Sequence, residues 1–401
     1  MNVPQQLTLR LHLALYSAIV LSFFFQALTW GLAHRFFAYF VLLLVAGIYF
    51  QAPEKNKSRR RIILKSLLPL AIFVILEWIA TLHFPWDVKE TRRVLLATGL
   101  TLGIVLMARE HKRIRPYIAS TLTVAIYAYA VLQIIWVYGL GQNYGTTKNP
   151  HYLAIYSAIF LVVAIFLAVN WSRGIQRYCL LVAAAVLGAL LLNTSSRPTW
   201  ISLMTATFIV VICLRNRAKL IISLLTSLVL VVLLFTDAGN FKTRIDDLVV
   251  NASAEERVTI WMDTWVMQQD SNCLQWLIGH GVESFEEDFQ LYSRYYLTNG
   301  VVFNSPHNAL LEVLYQFGWV GLVVLISFML WLYYALFARY FQACKLLMHQ
   351  MQMVLLLLIT LLTVTLITVS ITLPFFVSIH LNIIALVLGV MYYLDRLEQR
   401  P

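Results

Sequence analysis

The sequence predicts an all-α polytopic membrane protein of about 12 transmembrane helices, with one large helical loop on its external side. Three observations predict it. First, 60% of the 401 residues are hydrophobic and 12% charged, with a mean hydropathy of +0.76, where soluble domains carry about 25% charged residues. Second, apolar runs of the length that crosses a bilayer, about 17–25 residues, recur along the whole chain. Third, the basic residues fall in alternate loops.

The runs lie at about 11–31, 34–50, 62–84, 94–108, 117–139, 151–170, 178–193, 199–214, 220–236, 309–337, 351–372 and 377–394. The first follows a single Arg10 and contains no small-residue cleavage site, so it reads as a retained span and not a signal peptide. The basic loops "EKNKSRRR" with Lys65, "REHKRIR", "SRGIQR", "RNRAK", "ARYFQACK" and "DRLEQR" all fall on one side if twelve spans are counted. Together with Arg10 they hold twenty of the 30 Lys and Arg residues. The positive-inside rule places that side, and both termini, in the cytoplasm. The net charge of +11 is then a matter of orientation and implies no nucleic-acid partner. Cys179, Cys213, Cys273 and Cys344 lie far apart without metal or CxxC spacing. Neither internal repeats nor an inverted pair of broken helices is evident, which disfavours a secondary transporter.

The chain divides into helices 1–9 over 1–236, a loop domain over 237–308, and helices 10–12 with the C-terminus over 309–401. Between Asp237 and Pro306 the composition shifts to eleven acids, four bases and many aromatics, which describes a folded lid. Ser253 with Glu256 and Ser284 with Glu287 have the spacing of capping boxes. After the first, Val258, Trp261, Met262 and Trp265 form a helical stripe; after the second, Phe285, Phe289, Tyr292 and Tyr296 do. These faces suit the bilayer interface, the spans below, or an ordinary core.

Ionisable groups at membrane depth are costly and mark function by default. Glu77 in the third span has no legible partner. Lys89, Arg92 and Arg93 stand on the external side, as headgroup anchors or ligands of an anion. Lys148, Asn149 and His151 stand at the entry to the sixth span, in a glycine-rich loop that lacks the P-loop spacing. Arg197 opens the eighth span beside Asn193, Thr194, Ser195 and Ser196, either snorkelling or holding an anion. Arg257 near a helix start opposes the helix dipole, a cost offset by a bound anion or by Glu255 and Glu256. At the tenth span, Ser305 is the expected N-cap, with Pro306 in the first turn. His307 then projects at the external membrane edge, where a neutral imidazole accepts a proton near neutral pH. Glu312 lies one turn deeper and needs a partner. Gly318 and Gly321 permit close helix approach.

His307, Asn308, nine residues, Gly318, two residues and Gly321 are similar to the H-[NSQ]-x9-G-x-x-G signature of bacterial O-antigen ligases, of the O-antigen ligase and polymerase superfamily. "SSRPTW", "EERVTIW", "IGHGVESF" and "KNPHYLA" resemble other short elements of that superfamily, and the layout of spans and loop resembles its architecture. This chain departs from the pattern in the proline after Arg197 and in Glu256 before Arg257. The resemblance implies a GT-C-type glycosyltransferase of the bacterial inner membrane, metal-independent, inverting and without cofactor, acting at the periplasmic face. Its partners would be an undecaprenyl-pyrophosphate-linked O-antigen donor and the lipid A core acceptor, with membrane lipids around it. His307 would be general base or would orient the acceptor hydroxyl. Arg197 and Arg257 would hold pyrophosphate, with Arg93 a third candidate; Glu312 would tune the site, and Asn308 would fix the loop-to-helix junction. An O-antigen polymerase using the same donor is the nearest alternative, and a protein O-oligosaccharyltransferase a more distant one. A lipid-linked glycan flippase is the alternative of another class.

Overall fold

The computed structural model describes residues 3–51, 57–81, 88–147, 149–214, 256–281, 284–373 and 377–398. All regular structure among them is helical. Eight long helices come first: α1 (Val3–Ala27), α2 (Gly31–Gln51), α3 (Lys57–Thr81), α4 (Val88–Met107), α5 (His111–Ile134), α6 (Pro150–Asn170), α7 (Gly174–Asn193) and α8 (Arg197–Cys213). Four shorter ones form the lid: α9 (Glu256–Gln269), α10 (Cys273–Ile278), α11 (Ser284–Tyr292) and α12 (Arg294–Asn299). The chain closes with α13 (Ala309–Lys345), α14 (His349–Thr372) and α15 (Ser378–Glu398).

Helices thus stand at eleven of the twelve expected spans; the one expected at 220–236 lies outside the described residues. Among the described residues eight helical stretches are long and apolar enough to cross a membrane, α4 and α5 running together as one of them. The lid helices are too short to cross. α1 packs on α2, α4 on α15, α6 on α7, α8 on α14 and α13 on α14. The spanning windows of α14 and α15 are each 67% buried, against 28% for α2, so the last two helices form the centre of the bundle. In α14 the hydroxyls of Thr360, Thr363, Thr365 and Thr368 bond to carbonyls four residues back, which satisfies them without water. Thr368 also bonds Ser202 of α8 at 3.1 Å, and Asn382 of α15 bonds Gln26 of α1 at 2.8 Å. At the end away from the lid, Arg339 of α13 holds Asp395 of α15 through two bonds of 2.9 and 2.7 Å.

The two stripes of the lid turn out differently. In α9 the buried residues are Ile260, Asp263, Thr264, Met267 and Gln268, while Met262 and Trp265 are exposed. The reason is local. Asp263 accepts from the Ser293 hydroxyl at 2.7 Å and the Tyr295 amide at 2.9 Å, tying α9 to α12. In the second stripe Phe285 and Phe289 are 0% exposed, each worth about 1.5–3 kcal/mol of burial. Tyr292 is exposed and Tyr296 belongs to α12. Ser284 lies inside α11, its hydroxyl donating to the Gly281 carbonyl at 3.0 Å. Among the described residues, Asn272 and Gln275 form a capping box at the start of α10. Ser253 lies outside the described residues.

Candidate functional site at the mouth of the bundle

The entry to α6 is built first, because it carries the side chain on which the site turns. A π-turn over Ile135–Gly139 ends α5. Gln133, buried just before it, brackets Thr146: its amide donates to the Thr146 hydroxyl at 2.9 Å and its carbonyl accepts from the Thr146 amide at 3.2 Å. Thr29, in the α1–α2 turn, donates to the Thr146 carbonyl at 2.8 Å. The loop is therefore pinned from two sides. Asn149 then caps α6, its side chain accepting from the His151 amide at 2.8 Å, with Pro150 in the first turn. His151 is thereby fixed one residue inside the helix.

From there His151 reaches two other segments. Its Nε2 accepts from the Arg257 guanidinium of α9 at 2.8 Å, and its Nδ1 lies 3.1 Å from the Ser196 hydroxyl at the start of α8. Ser196 in turn lies 3.1 Å from the Thr199 hydroxyl. Ser195, at φ +51°, turns the chain into α8, so that Arg197 opens that helix directly beside the network. Arg257 and His307 both act electrostatically on His151, and Arg93 of α4 acts on its neighbour Tyr152. His307, Arg257 and Arg93 are thus brought around the entry to α6. Ser196 keeps the backbone of Arg197 at its edge.

The start of α13 corrects an expectation. The helix begins at Ala309 and its N-cap is Asn308, whose side chain accepts from the amides of Leu310 and Leu311 at 3.0 and 3.2 Å. Ser305 and Pro306 lie outside it. The cause is His307, whose φ of +51° no helix accommodates. Asn308 therefore fixes the junction as expected, and His307 sits in a left-handed turn before the helix. The ring of His307 meets Phe303 edge to face at 5.5 Å, and Trp261 of α9 donates to the Pro306 carbonyl at 3.0 Å. Glu312 is 4% exposed in the first turn of α13.

Gly318 and Gly321 have a different use from the packing of spanning helices. Gly318 takes φ +63° and ψ −165° inside α13 and breaks it. In an unbroken helix the carbonyls of Tyr315 and Gln316 would accept from the amides four residues on. Here they accept from His280 at 2.8 Å and Gly281 at 3.0 Å, in the lid. A Cβ on Gly318 would lie 2.4 Å from the Leu277 backbone, and one on Gly279 would lie 2.2 Å from the Gln316 carbonyl. The G-x-G of the lid and the first glycine of the x9-G-x-x-G spacing are two sides of one backbone contact. A Cβ on Gly321 would meet the Phe317 side chain at 2.2 Å, a turn away across the break.

Beside this joint the His280 ring stacks on Tyr315 at 4.2 Å and bonds Ser271 at 2.6 Å, with Asp288 at 3.6 Å. Tyr315 donates to Asp288 at 2.5 Å. Burial holds the His280 pKa below the ordinary imidazole value of 6.5, although the Asp288 carboxylate pulls the other way. The folded state binds the proton more weakly than the unfolded chain. The stabilisation is therefore complete above about pH 6.5 and is lost as pH falls below it toward the folded value. The protection factors of the 279–281 amides, taken after correction for the intrinsic slowing of exchange at lower pH, should fall between pH 7.5 and 5.5. A His280→Gln protein should lose that extra dependence.

Glu77, Lys89 and Lys148 have side chains outside the described residues, as do Glu255 and Glu256. Arg92 is half-buried on α4. What the sequence does not reveal is the centrality of His151: it stands 106 positions from Arg257, and no spacing rule links them. Among the described residues no group of three or more His, Cys, Asp or Glu side chains converges.

Residues 181–326 match the family model described as O-Antigen ligase. That stretch contains Arg197, Arg257, His307, Glu312, Gly318 and Gly321, and leaves out Arg93 and His151. An O-antigen ligase of Pseudomonas aeruginosa is 28% identical over 193 residues, covering 47% of this chain and 41% of the relative. The chain thus matches less than half the length of that curated protein.

Proposed function

We propose that this member of the O-antigen ligase superfamily transfers O-antigen polysaccharide from undecaprenyl pyrophosphate to a sugar hydroxyl of the lipid A core, at the periplasmic face of the bacterial inner membrane. The observation that carries the reading is the grouping of His307, Arg257 and Arg93 around the entry to α6, with Arg197 opening the neighbouring helix. A base and several guanidiniums at one mouth are what this reaction requires. His307 takes the proton of the acceptor hydroxyl; the acceptor oxygen attacks the anomeric carbon from the face opposite the leaving group. The bond from that carbon to the pyrophosphate oxygen breaks, with inversion, and undecaprenyl pyrophosphate departs. Guanidiniums in fixed positions stabilise the charge on the leaving oxygens. Arg197 and Arg257 hold the pyrophosphate, with Arg93 behind them. Glu312, buried beneath the junction, orients the site, and the lid over 237–308 shapes access for the acceptor.

The test is genetic. In cells making O-antigen, deletion of the gene should leave core without O-chains while polymeric lipid-linked donor accumulates. A single repeat unit left on the core would make the protein a polymerase, and donor trapped in the cytoplasmic leaflet would make it a flippase. Arg197→Lys and Arg257→Lys keep the charge and lose the planar fork. Each is expected to lower kcat/KM for donor on the order of 10- to 100-fold, as for one charged hydrogen bond lost. Full activity in both lysine variants would mean that point charge suffices there.

A further inference from the structure

His151 does more than line the entry to α6: we infer that it is a positioning residue for Arg257, holding the guanidinium in place for the lipid-linked pyrophosphate. The inference rests on the ligase reading above and extends it to a side chain outside the stretch that matches the family.

The direction of the hydrogen bonds carries it. A guanidinium can only donate, so the Arg257 bond at 2.8 Å requires a bare lone pair on His151 Nε2. The proton of the neutral ring is then on Nδ1, which donates to the Ser196 hydroxyl at 3.1 Å. Ser196, its oxygen occupied, can pass its own hydrogen to Thr199 at 3.1 Å. Donors run one way, from Arg257 through His151 and Ser196 to Thr199, across α9, α6 and α8. The far end is rigid, for Ser196 is 1% and Thr199 0% exposed. The near end is fixed by the Asn149 cap at the His151 amide.

Arginine loses much rotamer freedom when it is held. A guanidinium held in place by His151 has less freedom left to lose when a ligand arrives, and pays less on binding. The histidine suits this because it accepts from arginine without neutralising it, as a carboxylate would. It is also unsuited to be the base of the reaction, since its accepting nitrogen is occupied by Arg257. Glutamine offers one acceptor and one donor group on a side chain of similar reach, whereas alanine offers neither.

Two readouts on purified full-length protein test this: binding of undecaprenyl pyrophosphate alone, and transfer of lipid-linked glycan to lipid A core. His151→Ala is expected to weaken undecaprenyl pyrophosphate binding and raise the donor KM about tenfold or more, with little change in kcat or in the pH profile. His151→Gln should restore most of both. The double variant His151→Ala with Arg257→Ala should be no worse than Arg257→Ala, because both changes remove one function. Multiplying effects, a His151→Gln protein as impaired as His151→Ala, or loss in His151→Ala of the low-pH limb that a general base sets would each overturn the assignment. If wild-type protein binds the lipid but transfers nothing to lipid A core, the ligase reading fails, and the binding series still decides the role of His151.

Discussion

His307→Ala is expected to abolish transfer, lowering kcat/KM by about 10²- to 10⁴-fold, the usual contribution of a positioned general base. The lid should remain folded. The backbone gives a control that few active-site residues allow. His307 is held at φ +51°, where a side chain is strained and glycine is not. If the imidazole mattered only for folding, His307→Gly would relieve the strain and retain activity. If the imidazole does the chemistry, His307→Gly should be at least as stable as His307→Ala and equally inactive. The measurement is the O-chain ladder on lipopolysaccharide from a deletion strain carrying each variant, read beside protein level and thermal unfolding in detergent. A well-folded glycine variant that still builds a full ladder would remove His307 from the reaction. Holding the ring in a left-handed turn has a structural logic. The turn starts α13 three residues later than a Ser305 cap with Pro306 would, so the ring stays outside the helix. Asn308, not Ser305, takes over the cap.

Much of this arrangement was legible in the sequence, and the exceptions share a cause. Spans announce themselves because lipid tolerates only long apolar helices, and helices occupy eleven expected positions. The buried state of Glu312 followed from its depth after His307. The stripes of the lid leave interface, spans and core open, because periodicity marks a face without saying what covers it. In α9 Asp263, Thr264 and Gln268 are buried while Met262 and Trp265 are exposed, whereas in α11 Phe285 and Phe289 are buried. Beside a bundle of spans, Trp265 stands edge to face with Trp276, and Trp276 stacks on the exposed Trp319 of α13. That surface is apolar and outward, as span surfaces are. His151 was visible as a polar residue at a span entry, but its partners lie on α8 and α9, and only folding brings them together. Gly318 predicts close packing between spans, and the structure instead has a break in α13 there. A small residue in a span suggests helix packing, and nothing local distinguishes that from a break whose partner is Gly279.

Gly318→Ala is the variant with the largest expected effect on the lid. Gly318 at φ +63° and ψ −165° and Gly279 at φ +85° and ψ −176° both occupy backbone territory that only glycine enters cheaply, at about 1–3 kcal/mol for any other residue. The clash adds to this, since a Cβ at either position meets backbone across the joint at 2.4 or 2.2 Å, which no rotamer change relieves. Alanine at 318 also favours the uninterrupted helix. A straight α13 would take back the Tyr315 and Gln316 carbonyls, and the lid would lose the bonds now made by the His280 and Gly281 amides, each worth about 1 kcal/mol. The three effects act in one direction. The expected result is a protein whose spanning bundle unfolds normally while its lid is cut rapidly by protease and its transfer activity is lost. Gly279→Ala should behave alike, since it obstructs the same joint from the other side. Gly300→Ala is the control: it too has positive φ, +66°, yet a Cβ there meets nothing within 4 Å. It should cost only its backbone strain and leave the lid docked. Equal protease sensitivity in Gly300→Ala and Gly318→Ala would mean that strain alone explains the loss. A Gly318→Ala lid that resists protease as the wild type does would show that the break in α13 is not what holds the lid over His307.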